Sequence, residues 1–306
     1  MRQSLAALWN GAPPILRGII LMTASTVMFA SMHASIRHLS AELSPLQIAF
    51  FRSFFGVLVF LPVVARSGLG FLRTERLWLH LIRAVLNVAS MLAFFTALAI
   101  TPIARVTALS FTSPLFMAVI SVALLGEVMR MRRWAATIIG FVGAVVIIRP
   151  GIAEIDVGSM LVLGSAASWA VCMAIIKIIG RTESSLTITG YATILLSVLS
   201  LPPALLVWQT PAPAAWFWLV FIGVIGTLGQ LAVAEALKQA DATAVMPFDF
   251  LKLIWAAALG YIFFAEIPDE FTWLGAAIIF ASGMYIVYRE RQLAKTASKV
   301  RLGGKE

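Results

Sequence analysis

The sequence predicts an all-α polytopic membrane protein, ten transmembrane helices arranged as two inverted five-helix repeats. Three observations carry this. Of 306 residues, 61% are apolar and 12% charged, where soluble globular chains carry about 25% charged residues. Lys and Arg concentrate in alternate connections between the apolar runs. The chain also aligns with itself when shifted by 139 residues.

The mean hydropathy of +0.96 leaves too little charge to cover a water-soluble surface. That excludes a cytosolic enzyme, a secreted scaffold and a nucleic-acid binder. The net charge of +9 and the pI near 10.3 fit basic cytoplasmic loops. A single cysteine, Cys172, allows no internal disulfide and no cysteine-based zinc site. Neither a cofactor nor a metal is expected. The bilayer is an expected partner, and a homodimer stays open.

A helix crossing the hydrocarbon needs about 20 apolar residues. The first such run, 18–38, follows Arg17. It is too long for a signal-peptide core and carries His33 and Arg37 near its end, so an uncleaved span is expected. Ser44-Pro45 precedes the second run, 46–65, and the third is 78–99. Thr101-Pro102 introduces the fourth, 103–125, and Pro150-Gly151 closes the fifth, 134–149. The sixth and seventh are 157–177 and 186–207. Pro211-Ala212-Pro213 separates these from the eighth, 215–237. The ninth is 243–265, and Pro268 stands before the tenth, 271–288. Proline and glycine stop helices at these connections. Strand-type alternation is absent, which excludes a β-barrel. The chain then divides into a cytoplasmic N-terminal segment (1–17), a first five-helix repeat (18–149), a second (157–288) and a basic cytoplasmic tail (289–306).

With the N-terminus inside, 17 of the 23 Lys and Arg residues fall on the cytoplasmic side. Three, Arg37, Arg105 and Arg149, fall outside, and Arg52, Arg83 and Lys252 lie within spans. This bias predicts an even number of spans, both termini cytoplasmic, and a multi-pass protein of the cell inner (plasma) membrane.

The 139-residue shift places Ala97-Leu98 on Ala236-Leu237, Val106 on Val245 and Phe111 on Phe250. It also places Glu127 on Glu266, Trp134 on Trp273 and Phe141 on Phe280. Each half holds an odd number of spans, so the second half runs inverted relative to the first. Inverted repeats recur in secondary transporters, where two halves rock about a central site.

Several motifs resemble the drug/metabolite transporter superfamily, in its ten-helix EamA-like branch. These are Leu125-Gly126-Glu127 and Phe264-Ala265-Glu266 closing the fourth and ninth spans. Pro102-Ile103-Ala104 and Asp241-Ala242-Thr243-Ala244 open the same spans, and Phe51-Arg52-Ser53 lies in the second. The stretch from Asp241 to Ala277 is similar to the branch that includes S-adenosylmethionine and riboflavin carriers. The resemblance implies a small-metabolite carrier with a central cavity lined by spans one, three, four, six, eight and nine.

Ionisable residues inside a span normally face protein or water, which makes each a candidate. Arg83 and Asn87 share a face of the third span, which Ser90 and Phe94 extend. Snorkelling is the other reading of Arg83. Arg52 in the second span is either a helix-pairing or a functional arginine. Asp249 and Lys252 stand three apart on the ninth span and form either a static ion pair or a working one. In the working case Asp249 takes a proton, or Lys252 holds a substrate carboxylate or carbonyl. Gln230 on the eighth span is a hydrogen-bonding candidate, and Glu235 with Lys238 reads as an interfacial pair. His33 is a packing residue or a second proton-coupling group. Ser110, one turn from Pro114, and Trp169, beside Ser168 and Cys172, complete the candidate substrate-binding set of Arg83, Asn87, Phe94, Ser110, Trp169, Gln230, Asp249 and Lys252. Trp169, Phe94, Phe111 and Trp255 either stack on a flat solute or, the preferred reading, pack in the core. Glu127 and Glu266 read as helix-end or gate residues.

No phosphate-binding G-x-x-x-x-G-K-[ST], no H-E-x-x-H and no G-x-S-x-G occurs. No catalytic residues are therefore assigned. The expected function is a secondary transporter, working by alternating access, for a vitamin such as riboflavin, for S-adenosylmethionine or for an amino acid. A membrane enzyme acting on lipid head groups and a channel are the alternatives.

Overall fold

The computed structural model describes residues 13–68, 73–125, 131–149, 156–240 and 242–303. Gly126, Glu127 and Asp241, named in the motifs above, lie outside them. All regular structure among the described residues is helical. The helices are α1 (Pro14–Leu39), α2 (Pro45–Ser67), α3 (Leu77–Ile100), α4 (Ile103–Ser110), α5 (Ser113–Leu125) and α6 (Met131–Ile148). They continue as α7 (Val157–Ile179), α8 (Ser185–Leu205), α9 (Pro213–Gln239), α10 (Ala242–Asp249), α11 (Leu251–Phe264) and α12 (Glu270–Gly303).

Among the described residues seven stretches are long and apolar enough to cross a membrane: Pro14–Leu39, Leu77–Ile100, Ile103–Leu124, Val157–Ile179, Thr187–Leu205, Pro213–Leu237 and Pro247–Phe264. Three shorter apolar stretches, Pro45–Val59, Trp134–Ile148 and Glu270–Ile286, accompany them. The molecule is a polytopic helical membrane protein. Its outer faces carry Trp78, Ile138, Phe217, Ile262 and Phe263, all exposed, as a lipid-facing surface requires. The helix α12 continues through the expected tail as far as Gly303.

Local sequence explains the ends. Pro14 takes the first position of α1, where a missing N–H costs nothing, and Arg37 and His38 complement the negative end of its dipole. Asp156 caps α7 by accepting from the Gly158 and Ser159 amides at 3.0 and 3.1 Å. Ser184 caps α8 through the Thr187 amide at 3.1 Å.

The fourth and ninth spans, expected as continuous helices, are each broken. Pro114 has no N–H to offer the Ser110 carbonyl and its ring would press on that carbonyl, so α4 stops at Ser110. The chain tightens through Phe111 and Thr112, whose amides bond three residues back to Ala108 and Leu109. The break after Asp249 is bridged by Phe250, whose carbonyl accepts from the Leu253 amide at 3.0 Å. Shifted by 139, α4 falls on α10 residue for residue, and the two breaks coincide at Phe111 and Phe250.

Packing pairs helices from opposite halves. The main pairs are α1 with α9, α3 with α7, α2 with α8, and α6 with α12. In the last pair the backbones touch. A Cβ on Gly143 would lie 2.8 Å from the Gly275 carbonyl, and one on Gly275 2.5 Å from the Gly143 carbonyl. On the same helices Ser282 donates to the Ala136 carbonyl. The 139-residue shift carries Gly143 to Ser282 and Ala136 to Gly275, so one contact is the other with the halves exchanged. The buried core, including Met32, Ile36, Phe51, Phe95, Leu98, Leu109, Phe111 and Leu115, runs along these seams.

Candidate functional site

The two broken spans bring the central polar groups together. Lys252 opens α11 and Asp249 closes α10, and their Nζ and Oδ2 atoms stand 3.5 Å apart. The backbone turn at Phe250 therefore lies between the partners, rather than a continuous helical face. Lys252 also lies over the Phe111 ring, 4.8 Å from its centroid. Phe111 stacks on Phe250 at 4.1 Å, and Phe250 meets Phe280 edge-on at 4.0 Å. A cationic head thus sits on an aromatic platform contributed by both halves.

His33 on α1 is buried, packs on Phe94 of α3 with centroids 5.1 Å apart, and leaves its Nδ1 without a partner. On α4 the Thr107 hydroxyl is fully buried and unpartnered, while Ser110 donates to the Thr107 carbonyl at 2.7 Å. An unmet buried hydrogen-bonding atom is costly. His33 and Thr107 both offer such an atom along the helices that flank the platform.

The other candidates lie elsewhere. Arg83 is buried in the seam of α3, and its Nη1 donates to the Ile188 carbonyl of α8 at 3.0 Å. Asn87 is buried one turn further along. Ser90 and Ser165 exchange hydroxyl-to-carbonyl bonds at 2.9 and 2.8 Å, pinning α3 to α7. Trp169 and Gln230 are exposed on α7 and α9. Arg52 lies beside α9, its Nε 3.6 Å from where a Cβ on Gly226 would stand. Glycine at 226 makes room for the Met32 sulfur, which would stand 2.6 Å from a Cβ there.

Two polar clusters at opposite ends of the bundle, not grouped by sequence reasoning, join the halves. At one end Arg37 pairs with Glu266 at 3.2 Å, and Arg105 and Arg149 pair with Asp269. Burial pushes the Asp269 carboxyl up, but hydrogen bonds from Thr272 and the Arg149 and Arg105 charges outweigh it and hold it below the ordinary carboxylate range. At the other end Glu183 accepts from Thr74 at 2.5 Å and meets His80 Nε2 at 2.7 Å, with the His80 ring stacked on Tyr191. Burial again opposes, yet the Thr74 and His80 bonds with the His80 and Arg76 charges keep Glu183 low. The partners in both clusters are far apart in sequence, and only the Phe111/Phe250 repeat match hinted at the central platform. Among the described residues no group of three or more His, Cys, Asp or Glu gathers as a metal site.

The family model of EamA-like transporters matches twice, over residues 16–149 and 156–288. The chain belongs to the EamA-like transporter family. As a family member it is a transporter and not an enzyme, which sets aside the lipid-head-group alternative. It is 32% identical over 277 residues to an S-adenosylmethionine uptake transporter of Rickettsia felis, covering 90% of this chain and 94% of that one. It is 33% identical over 285 residues to a riboflavin transporter of Vibrio cholerae, covering 92% and 96%. A solved crystal structure shares the fold with a TM-score of 0.60 at 19% identity, over 90% of this chain and 96% of that one.

Proposed function

We propose that this transporter is a secondary carrier that moves a small organic metabolite across the inner membrane by alternating access. Its ten spans form two inverted five-helix repeats, 18–149 and 157–288, with both termini cytoplasmic. The observation that carries the reading is the central platform, where Lys252 and Asp249 of the second half meet Phe111 of the first. An ammonium and a carboxylate on stacked rings suit a flat or zwitterionic organic solute better than an inorganic ion. The coincidence of α4 with α10 under the 139-residue shift supports the repeat. So does the exchange-related contact pair between α6 and α12.

In this reading Asp249, Lys252, Phe94 and Ser110 contact substrate, and Asp249 or His33 exchanges a proton. Arg83, Asn87, Trp169 and Gln230 line the route. The names of the relatives put S-adenosylmethionine and riboflavin first among substrates, with aromatic amino acids third. The test is a thermal-shift screen of the purified protein followed by counterflow in proteoliposomes. A ligand at a hundred times its dissociation constant adds about 2.7 kcal/mol. Stabilisation and counterflow by one of these solutes is the expected result. Stabilisation by lipids or metal ions alone would sink it.

A further inference from the structure

The α4 helix begins at Ile103 after Pro102, which offers no side chain to cap it. Ile103 is fully buried, and its amide is one of the donors that an N-terminus leaves unsatisfied. Glu266, from the opposite half, supplies the acceptor: its Oε2 takes the Ile103 N–H at 2.9 Å. Left-handed backbone at Ala265 (φ 53°) turns the chain after α11, and the Glu266 amide bonds back to the Gly260 carbonyl at 3.0 Å.

The other oxygen of Glu266 faces Arg37, whose Nη1 donates to the Leu98 carbonyl at 3.1 Å and also to that of Ala99. Those carbonyls end α3. One carboxylate–guanidinium pair therefore satisfies both sides of the α3–α4 turn, with the anion on a positive helix end and the cation on a negative one. The signs also segregate by half. Arg37, Arg105 and Arg149 come from the first, and Glu266 and Asp269 from the second.

We propose that Glu266 is a positioning residue that latches this end of the transporter shut. It does so by capping α4 and pairing with Arg37, and the protein opens toward this end only when both contacts release. This rests on the alternating-access reading. The α4 helix is about 12 Å long at 1.5 Å per residue, and Phe111 follows it directly. Release of its capped end moves Phe111 relative to Lys252 and Phe250, which ties the latch to the central platform.

The test uses the full-length protein in proteoliposomes, with Cys172→Ser removing the native thiol and Thr107→Cys as reporter, one turn inside the latch. A membrane-impermeant maleimide is applied from the Glu266 side. With Glu266 intact, labelling is slow. Glu266→Ala accelerates it about ten-fold and slows labelling from the opposite side, and Arg37→Ala, which leaves Glu266 on the Ile103 amide, accelerates it less. The isosteric Glu266→Gln, which keeps an acceptor for the Ile103 amide but loses the ion pair, falls between. The charge swap Arg37→Glu with Glu266→Arg is decisive, because an arginine at 266 cannot accept that N–H and its charge opposes the helix dipole. The swap labels as fast as Glu266→Ala. Equal rates in all variants, or protection restored by the swap, overturn the proposal. Labelling needs no substrate. Loss of counterflow in the wild-type protein would count against the carrier reading, and unchanged labelling against the latch.

Discussion

Phe111 and Phe250 stack with ring centroids 4.1 Å apart, and each marks the break in its own span. Residues related by the 139-residue shift thus meet face to face, where Lys252 lies over the Phe111 ring. Stacked rings contribute about 0.5–1.5 kcal/mol beyond area burial. Phe111→Ala and Phe250→Ala should each lower the thermal midpoint, and the double variant should lose less than their sum by about that amount. Additive losses would show that the rings are not coupled.

The Asp249–Lys252 pair is largely withdrawn from solvent, with side-chain exposures of 20% and 16%. Removing one partner of a buried pair leaves an uncompensated charge, at a cost of about 3–5 kcal/mol. Lys252→Ala should therefore damage expression and stability more than Lys252→Met combined with Asp249→Asn. Thermal unfolding of the two singles and the double measures it. A double variant as unstable as the sum of the singles would refute the pairing.

Topology has a direct check. Reporter fusions at Lys305 and Pro211 should report opposite sides of the membrane, cytoplasmic and external. Finding both on one side would contradict the ten-span arrangement and the orientation drawn from the Lys and Arg bias.

Acid should weaken the Arg37 end of the bundle. The Asp269 carboxyl is held below its ordinary value of 3.8, so the folded state favours the ionised form. Its contribution is present above the unfolded value and is lost as pH falls through the lower, native one. The thermal midpoint should fall as pH is taken from about 6 to about 3, and Asp269→Asn should flatten part of that fall. Glu183, lowered at the other end, supplies another part. A wild-type-like pH profile in Asp269→Asn would remove Asp269 from the account.

The class of the molecule was readable from composition alone. Every run long enough to span is predominantly apolar, and hydrocarbon admits only segments whose backbone polar groups are satisfied internally. Helices therefore followed from composition, and the connections from proline and glycine. Asp249 and Lys252 were legible as a pair because three-residue spacing keeps partners close, even across the turn at Phe250. The break in the fourth span was legible in principle at Pro114. The one in the ninth, after Pro247, was not, because that proline lies inside α10 and the turn follows it.

Which groups meet across the halves follows from how the helices pack. Glu266 on the Ile103 amide, Arg37 on the α3 carbonyls and Glu183 between Thr74 and His80 join residues 61 to 163 positions apart. Hydropathy sets how a helix lies in the bilayer but not its rotation or its neighbour. Those are chosen by close packing, as where Gly143 and Gly275 let two backbones touch, and by the need to satisfy each buried donor and charge.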